Sequence, residues 1–473
     1  MTAYVPRPGT IPTLQVPLLA PVRRLHMIGI GGAGMRNLAR LFLARGIQVT
    51  GSDLKESRGV EELRSLGATV AVGHDASNLG EPDAVVVSSA IAESNPELSE
   101  ARRRGIPVWA RAQALAAAAT DRREVAVAGT HGKTTTTSMI ALVLERAGLE
   151  PTYVIGGDPN ESGSGARAGS GEVFVAEADE SDVSFLLGLP SIGVITNVDV
   201  DHVDFYPGGR EEIEAAFTEF ARRCDHVVVC ADDEGAMRAV AAAGTPVTSY
   251  GFAPGADVRI EIASVGPGGS RAMVSLDAER RGLRLLVDGA HNLSNAGAAL
   301  AVAGLLGVPL EASAGALEAF AGVHRRFEHL GRARGAEFYD DYGHVPTELA
   351  VTLDVARRTG PSRLIAVFQP HRYSRTQALW RELGESLVEA DVVVVTDVYG
   401  AAQEPIPGVT GKLVVDGIAR TGAGTRVVYL PHRGDVVAFL EREIRESDLV
   451  LTIGCGDVWM LGVAALERIG EDA

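Results

Sequence analysis

Lysine is almost missing from this chain: Lys55, Lys133 and Lys412 are its only lysines in 473 residues. Arginine supplies the other positive charges, and 44 basic against 61 acidic residues leave a net charge of −17. That balance excludes a general binder of nucleic acid or membrane surfaces, because phosphate backbones demand clustered positive charge. An anionic substrate must instead meet local basic pockets set in an acidic surface. Cysteine is just as scarce. Cys224, Cys230 and Cys455 form no CxxC pair, which argues against a disulfide framework or a cysteine zinc site and fits a reducing cytoplasm. No apolar run approaches the ~18 residues a membrane span needs, so no membrane insertion is expected. Met1 to Pro21 carries five prolines and lacks a basic stretch followed by an apolar core. It reads as an extended tail, not a signal peptide.

What the chain does have is the composition of a soluble globular protein, 46% hydrophobic and 22% charged. Its length calls for two to four domains. Strand and helix patterns alternate three times over, which predicts an α/β fold of three domains with largely parallel sheets. After a tail at 1–22, the boundaries fall at 23–120 for a Rossmann-like unit, 121–324 for a central unit of the P-loop type, and 325–473 for a second Rossmann-like unit. Strands are expected at LHMIGI, QVTGSD and AVVVSSA in the first unit. EVAVAG, EVFVAEA, IGVITNV and HVVVCA follow in the second, and AEFYDD, RLIAVFQ, DVVVVTDV, RVVYL and DLVLTIG in the third. Residues 247–287, with short strands and turn signals, read as a small β insertion before a helix starting near Asn295.

The strongest chemical signal is VAVAGTHGKTTTT. A buried strand ends at Gly129, and Thr130, His131 and Gly132 lead into a helix opened by Lys133, Thr134 and Thr135. Successive backbone N–H groups at a helix N-terminus cradle polyphosphate, and an ammonium reaches the β and γ phosphates. The Thr134 hydroxyl suits Mg²⁺. Val127 occupies the place of the first glycine of GxxxxGK[ST], so only the shorter G-T-x-G-K-T form is present. Near the N-terminus, GIGGAGM supplies Gly29, Gly31, Gly32, Gly34 and Met35, with Asp53 ending the next strand. This is the fingerprint of a dinucleotide fold, with Asp53 placed for a ribose hydroxyl. A nucleotide diphosphate of any kind satisfies the same physics, a UDP-sugar as well as NAD.

Two acidic segments should reach the same sheet edge as the phosphate loop. EADESD holds Glu177, Asp179, Glu180 and Asp182; NVDVDHVDFY holds Asn197, Asp199, Asp201, His202 and Asp204. Carboxylates and imidazole beside ATP suit Mg²⁺. DGAHNLSNA carries His291, Asn292 and Asn295, amides fit for an adenine edge. RRFE, DDYGH and QPHRYSRT carry Arg325, Arg326, Asp341, Tyr342, His344, His371, Arg372 and Arg375, and arginines at strand ends suit carboxylate or phosphate.

Taken in order, IGIGGAGM, VSSAI with NPEL, GTHGKTTTT, VAEADESD, ITNVDVDHVDFY, GAHNLSNA, GVHRRFE, DDYGH and QPHRYSRT resemble the Mur ligase family of peptidoglycan synthesis across residues 24–460. The resemblance implies a cytoplasmic, ADP-forming amide ligase in which the first domain holds a UDP-sugar, the second ATP, and the third the amino acid. Within the family it points to the branch joining L-alanine to the lactyl carboxylate of UDP-N-acetylmuramate through an acyl phosphate. The same resemblance implies roles residue by residue. Lys133 and Thr134 take ATP and Mg²⁺, Glu177 and His202 complete the metal sites, and Asn292 and Asn295 face adenine. Arg326 and Asp341 reach ATP. Gly29, Gly31, Gly32, Gly34, Met35, Asp53, Ser88 and Ser89 hold the UDP-sugar, while Tyr342, His344, His371, Arg372 and Arg375 surround the alanine. Lys133, Glu177, His202, His344 and Arg372 are the expected catalytic set. Relatives that add later residues carry a carbamylated lysine after the acidic histidine segment; none exists here between Lys133 and Lys412. Val345 departs from the family, which shows a second histidine after DDYGH. Three rivals remain: a ligase recycling a preformed peptide, a non-catalytic nucleotide-binding paralogue, and an NAD oxidoreductase, which leaves Lys133 unexplained. Assembly is left open between monomer and homodimer.

Overall fold

The computed structural model describes residues 15–88, 91–156, 164–180, 184–200, 206, 208–266, 268–401 and 403–471. The chain divides into two compact units, the first running to Ala321 and the second starting at Gly322.

The first unit holds two sheets. In the N-terminal one, β1 (Arg24–Ile28), β2 (Gln48–Asp53), β3 (Thr69–Val72), β4 (Ala84–Val87) and β5 (Val108–Ala110) run parallel in the order β3-β2-β1-β4-β5. Helices α1 (Ala33–Ala44), α2 (Arg58–Ser65), α3 (Pro96–Arg103) and α4 (Arg111–Ala119) connect or follow these strands. Met35, Leu38, Ala39, Leu41 and Phe42 recur at helical spacing along α1 and are buried, the stripe an amphipathic helix needs. In NPEL, Asn95 caps α3 by accepting from the N–H groups of Glu97 and Leu98, and Pro96 takes the first helical position. Glu97 is then buried against His26 (3.0 Å), Ser52 (2.5 Å) and Asn78 (2.8 Å). Burial raises its pKa, but these partners together hold the carboxyl down at about 2.

The central sheet comprises β6 (Arg123–Ala128), β7 (Thr152–Val154), β8 (Ala166–Arg167), β9 (Val173–Glu177), β10 (Ile192–Ile195), β11 (His226–Cys230), β12 (Val247–Gly251), β13 (Val258–Gly266), β14 (Gly269–Leu276) and β15 (Glu279–Leu285). Its order is β15-β14-β13-β12-β11-β10-β6-β9-β7-β8. Helices α5 (Lys133–Arg146), α6 (Arg210–Arg223), α7 (Glu234–Ala243), α8 (Ala290–Leu305) and α9 (Leu310–Leu317) accompany it. Val154, Phe174 and Ala176 of this sheet join the core of the N-terminal one, so a single apolar core ties both sheets into one unit.

The second unit has one sheet of β16 (Glu328–Ala333), β17 (Ala336–Asp341), β18 (Arg363–Phe368), β19 (Val392–Val395), β20 (Arg426–Tyr429) and β21 (Asp448–Ile453), ordered β16-β17-β21-β18-β19-β20. Only β16 is antiparallel among its pairings. Helices α10 (Pro346–Arg358), α11 (Tyr373–Leu387), α12 (Lys412–Thr421), α13 (Arg433–Glu443) and α14 (Trp459–Glu471) complete it. Leu364 to Phe368 and Val393 to Val395 are buried on both faces, as parallel strands between helix layers require.

The α/β class and parallel sheets agree with the sequence pattern. Two details differ. Residues 247–287 are no separate insertion, because β12 pairs in parallel with β11 and the sheet continues outward through β13 to β15. On β14 the buried Ser270, Ala272 and Val274 alternate with outward residues, the mark of an edge hairpin with one wet face. The helix placed near Asn295 starts at Ala290, just after Gly289 turns the chain at φ +107°. Strands β3, β5, β7, β8 and β16 went unread; the first four are at most four residues long and β16 (EHLGRA) lacks a clear apolar alternation.

Candidate active site

In the first unit, the glycine turn Gly29–Gly34 follows β1, next to β4, where the strand order reverses. Gly29 N–H and Ile30 N–H donate to Ser52 O at 2.9 and 3.1 Å, and Gly31 N–H donates to Asp53 Oδ2 at 2.9 Å. Asp53 therefore uses one carboxylate oxygen to hold the turn. Gly31 leaves little room for a side chain: a Cβ there would lie 2.9 Å from Asp53 Oδ2. Ser88 lies beside Gly29, Met35 is buried, and Gly32 opens α1 without a capping side chain. No side chain caps the first N–H groups of that helix, the groups that bind anions at helix N-termini. Ser89 falls outside the described residues.

The phosphate loop follows β6, between β10 and β9. Gly129 has φ +135°, and a Cβ there would stand 1.9 Å from Thr196 Oγ1; Gly132 has φ +80° and caps α5 in the left-handed region. Only glycine meets both demands without strain. The loop is stitched to the segment after β10. His131 N–H donates to Asn197 Oδ1 (2.8 Å), Asn197 Nδ2 to His131 O (3.0 Å), Thr196 Oγ1 to His131 O (2.6 Å), and Asp199 N–H to Thr130 Oγ1 (2.9 Å). Thr196 was missed in the sequence, since nothing about a single threonine at a strand end marks it as a clamp.

Lys133 Nζ folds over the loop, donating to Gly129 O (2.5 Å), Thr130 O (3.3 Å) and Glu180 Oε1 (2.8 Å). Burial alone would lower its pKa, yet Glu180, Asp179 and Glu177 together raise it, so the ammonium stays charged. Glu177, at the end of β9, accepts from Gly156 N–H at 2.7 Å. Thr134 and Thr135 lie buried in the first turn of α5. From α8, Asn295 reaches the loop: its Oδ1 accepts from Thr136 Oγ1 (3.2 Å) and would meet a Cβ on Gly132 at 2.7 Å. Asn292, one turn earlier, donates to Asp288 O at 2.7 Å. Asp182, Asp201, His202 and Asp204 lie outside the described residues. Among those described, no three His, Cys, Asp or Glu side chains are arranged to hold a metal.

In the second unit, a separate cluster forms where β17, β21, β18 and β19, adjacent in the sheet, end. Tyr342 and His344 meet edge to face at 5.8 Å, His344 and His371 at 5.9 Å, and His371 stacks on Tyr399 at 5.7 Å. Arg375 is buried with Nη1 3.2 Å from His371 Nδ1. Arg372 caps the start of α11 at φ +65°, its N–H donating to Tyr399 O; its Nε is buried with no hydrogen-bond partner. Such strain in a non-glycine residue collects at functional sites. Glu348 accepts from His344 N–H at 2.9 Å and lies 3.3 Å from its ring. The guanidinium groups of Arg325 and Arg326 sit 5.1 and 5.0 Å from the Tyr342 ring centre, within cation–π range. Burial pushes the Tyr342 phenol and the Cys455 thiol each up to about 12.

Beneath them, Asp341 is buried and accepts from Phe327 N–H, Gly343 N–H and Thr352 Oγ1 at 2.8, 2.8 and 3.0 Å. Burial raises its pKa against the pull of Arg326. Asp340 accepts from Arg325 Nε (2.9 Å) and Thr452 Oγ1 (2.6 Å), and burial pushes it up to about 6. Val345 is buried at 4% exposure and sits just before α10, at its N-cap. Glu348, in the first turn of α10, was not foreseen, nor were Tyr399 and Cys455, which arrive from two other strand ends.

Comparison with known proteins matches three family models in succession along the chain. Residues 24–123 match the model "Mur ligase family, catalytic domain", 127–303 the "Mur ligase middle domain", and 325–456 the "Mur ligase, glutamate ligase domain". The UDP-N-acetylmuramate–L-alanine ligase of Rubrobacter xylanophilus is 47% identical over 94% of this chain and 100% of its own length. That of Desulforamulus reducens is 44% identical over 95% and 98%. Among solved structures, the UDP-N-acetylmuramate–alanine ligase of Thermotoga maritima matches with a TM-score of 0.81 at 31% identity, covering 95% of this chain and all of the other. A murein peptide ligase from Psychrobacter arcticus shares the fold, with a TM-score of 0.75 at 24% identity over 95% and 99% of the two chains.

Proposed function

Because the chain belongs to the Mur ligase family, we propose that it joins L-alanine to the lactyl carboxylate of UDP-N-acetylmuramate at the expense of ATP, as a cytoplasmic enzyme of peptidoglycan precursor synthesis. One observation carries this reading: identity of 44–47% to ligases of that name, spread over 94–95% of the chain.

A carboxylate is a poor acyl donor. The lactyl oxygen therefore attacks the γ phosphorus of ATP, ADP leaves, and an acyl phosphate remains. The neutral amine of alanine attacks its carbonyl, the tetrahedral intermediate expels inorganic phosphate, and the amine proton passes to solvent or a nearby base. Lys133 and the loop N–H groups take the β and γ phosphates, where phosphoryl charge builds up. The oxygen donors Thr134 and Glu177 suit Mg²⁺, which takes one or two carboxylates together with ATP phosphates and water. When bound, Mg²⁺ neutralises phosphate charge. Asn292 and Asn295 lie on the helix that faces the loop and present amides to adenine. The glycine turn takes the diphosphate of the sugar nucleotide. In the second unit, Arg375 and Arg372 hold the alanine carboxylate, and His344, oriented by Glu348, takes the ammonium end.

ADP release tests this directly. Turnover is expected only when UDP-N-acetylmuramate and L-alanine are both present; release driven equally by a preformed tripeptide, or independent of the sugar nucleotide, would overturn it.

A further inference from the structure

Arg111 is the first residue of α4, and neither nucleotide motif contains it. Its side chain nevertheless touches the glycine turn and the acidic segment that flanks the phosphate loop. A Cβ on Gly34, in the glycine turn, would lie 3.4 Å from Arg111 Nη1 and 3.5 Å from its Cδ, so the guanidinium lies against the first turn of α1. Its Nη2 donates to Asp179 Oδ2 at 3.2 Å. Asp179 belongs to the acidic segment after β9, and its charge helps raise the Lys133 pKa. Beside this pair lies a cavity of about 40 Å³ lined in part by Arg111, Glu124, Glu177 and Asp179.

We propose that Arg111 is an exchangeable link between the two nucleotide sites: Asp179 holds it in the ligand-free protein, and the diphosphate of the sugar nucleotide takes it over. This rests on the reading of the glycine turn as the UDP-sugar site. The Arg111 and Asp179 side chains are 29% and 37% exposed, so water screens their pairing and it is readily given up. A diphosphate at the uncapped end of α1 brings more charge and a geometry matched to a guanidinium fork. Once Arg111 is taken over, Asp179 loses this cationic partner beside Lys133, whose pKa it helps to raise. The two ligands are thereby coupled, and by linkage each changes the other's affinity by the same factor.

Calorimetric titration of UDP-N-acetylmuramate into the wild type, Arg111→Met, Asp179→Asn and the double variant tests the link, with a non-hydrolysable ATP analogue confirming that each variant keeps its phosphate loop. Arg111→Met is expected to weaken sugar-nucleotide binding roughly tenfold or more, the scale of losing one charge-assisted fork. Asp179→Asn removes the competitor and is expected to tighten binding, and that gain should vanish in the double variant. Arg111→Lys should recover only part of the loss, since an ammonium lacks the fork. Unchanged binding by Arg111→Met, weakening by Asp179→Asn, or a gain that persists without Arg111 each overturns the link. If the wild type itself fails to bind UDP-N-acetylmuramate, the functional reading falls, and the link with it.

Discussion

The phosphate loop of the first unit and the imidazole–arginine cluster of the second are built on opposite plans. The loop is one run of seven residues, Gly129–Thr135, whose work is done mainly by backbone: two glycines at positive φ, a helix N-terminus and one lysine. The cluster takes side chains from the ends of four strands, and its backbone is forced out of the ordinary regions at Arg325 (φ +62°) and Arg372 (φ +65°). Shape in the loop is set by which residues can adopt a conformation; shape in the cluster is set by which side chains happen to converge. The first plan tolerates almost no substitution. The second should degrade by degrees.

The sharpest break should come at Lys133→Ala. Loss of the charge that meets the developing phosphoryl oxygens should cut turnover by on the order of 10³-fold or more. UDP-N-acetylmuramate binding should survive, as a titration would show; a variant that keeps substantial turnover means the phosphate site lies elsewhere. Gly129→Ala tests the backbone half of the same plan. With φ +135° and Thr196 Oγ1 in the way, it should cost about 2–4 kcal/mol of stability, from strain and overpacking, in a denaturant titration.

In the cluster, losses should be graded. His371→Ala and Arg375→Ala should raise the KM for alanine roughly 10- to 100-fold and leave ATP affinity alone, so steady-state assays with each substrate varied separate the two plans. A matching loss of ATP affinity would erase the distinction. Smaller still is Val345→His. Because Val345 is buried, the imidazole enters apolar packing, and the expected result is a melting temperature a few degrees lower, from about 1–2 kcal/mol of overpacking and polar burial. A shift in amino-acid preference without destabilisation would instead place this position in the pocket.

The last comparison concerns pH. The Asp340 pKa is raised by burial from 3.8 to about 6, so the folded second unit holds a proton that the unfolded chain releases more easily. Its contribution is fully present below about pH 4 and is lost as pH rises through about 6. Asp340→Asn should flatten that part of the stability–pH curve in thermal melts, whereas an unchanged slope would assign the dependence to another group.

Some of this was legible in the residues alone. GTHGKTTTT announced a phosphate loop because the conformation it needs is local: glycine at fixed offsets, a buried strand before and a helix after. The alternating strands and helices gave the α/β class for the same reason, since apolar periodicity is a property of neighbouring residues. Asp53 shows where local reading ran short, for its place at a strand end was plain but its bond to Gly31 N–H was not.

Tertiary structure alone decided the rest. Arg111 meets Asp179 across 68 positions of sequence, Arg325 reaches the carbonyls of Gly454 and Gly456 across 129 and 131, and His344 comes to His371 only because β17, β21 and β18 lie side by side. No spacing rule encodes such pairs. The order of strands in a sheet chooses which loop ends meet, and that order follows from how helices cover both faces of the sheet at once, a property of the whole domain and not of any segment.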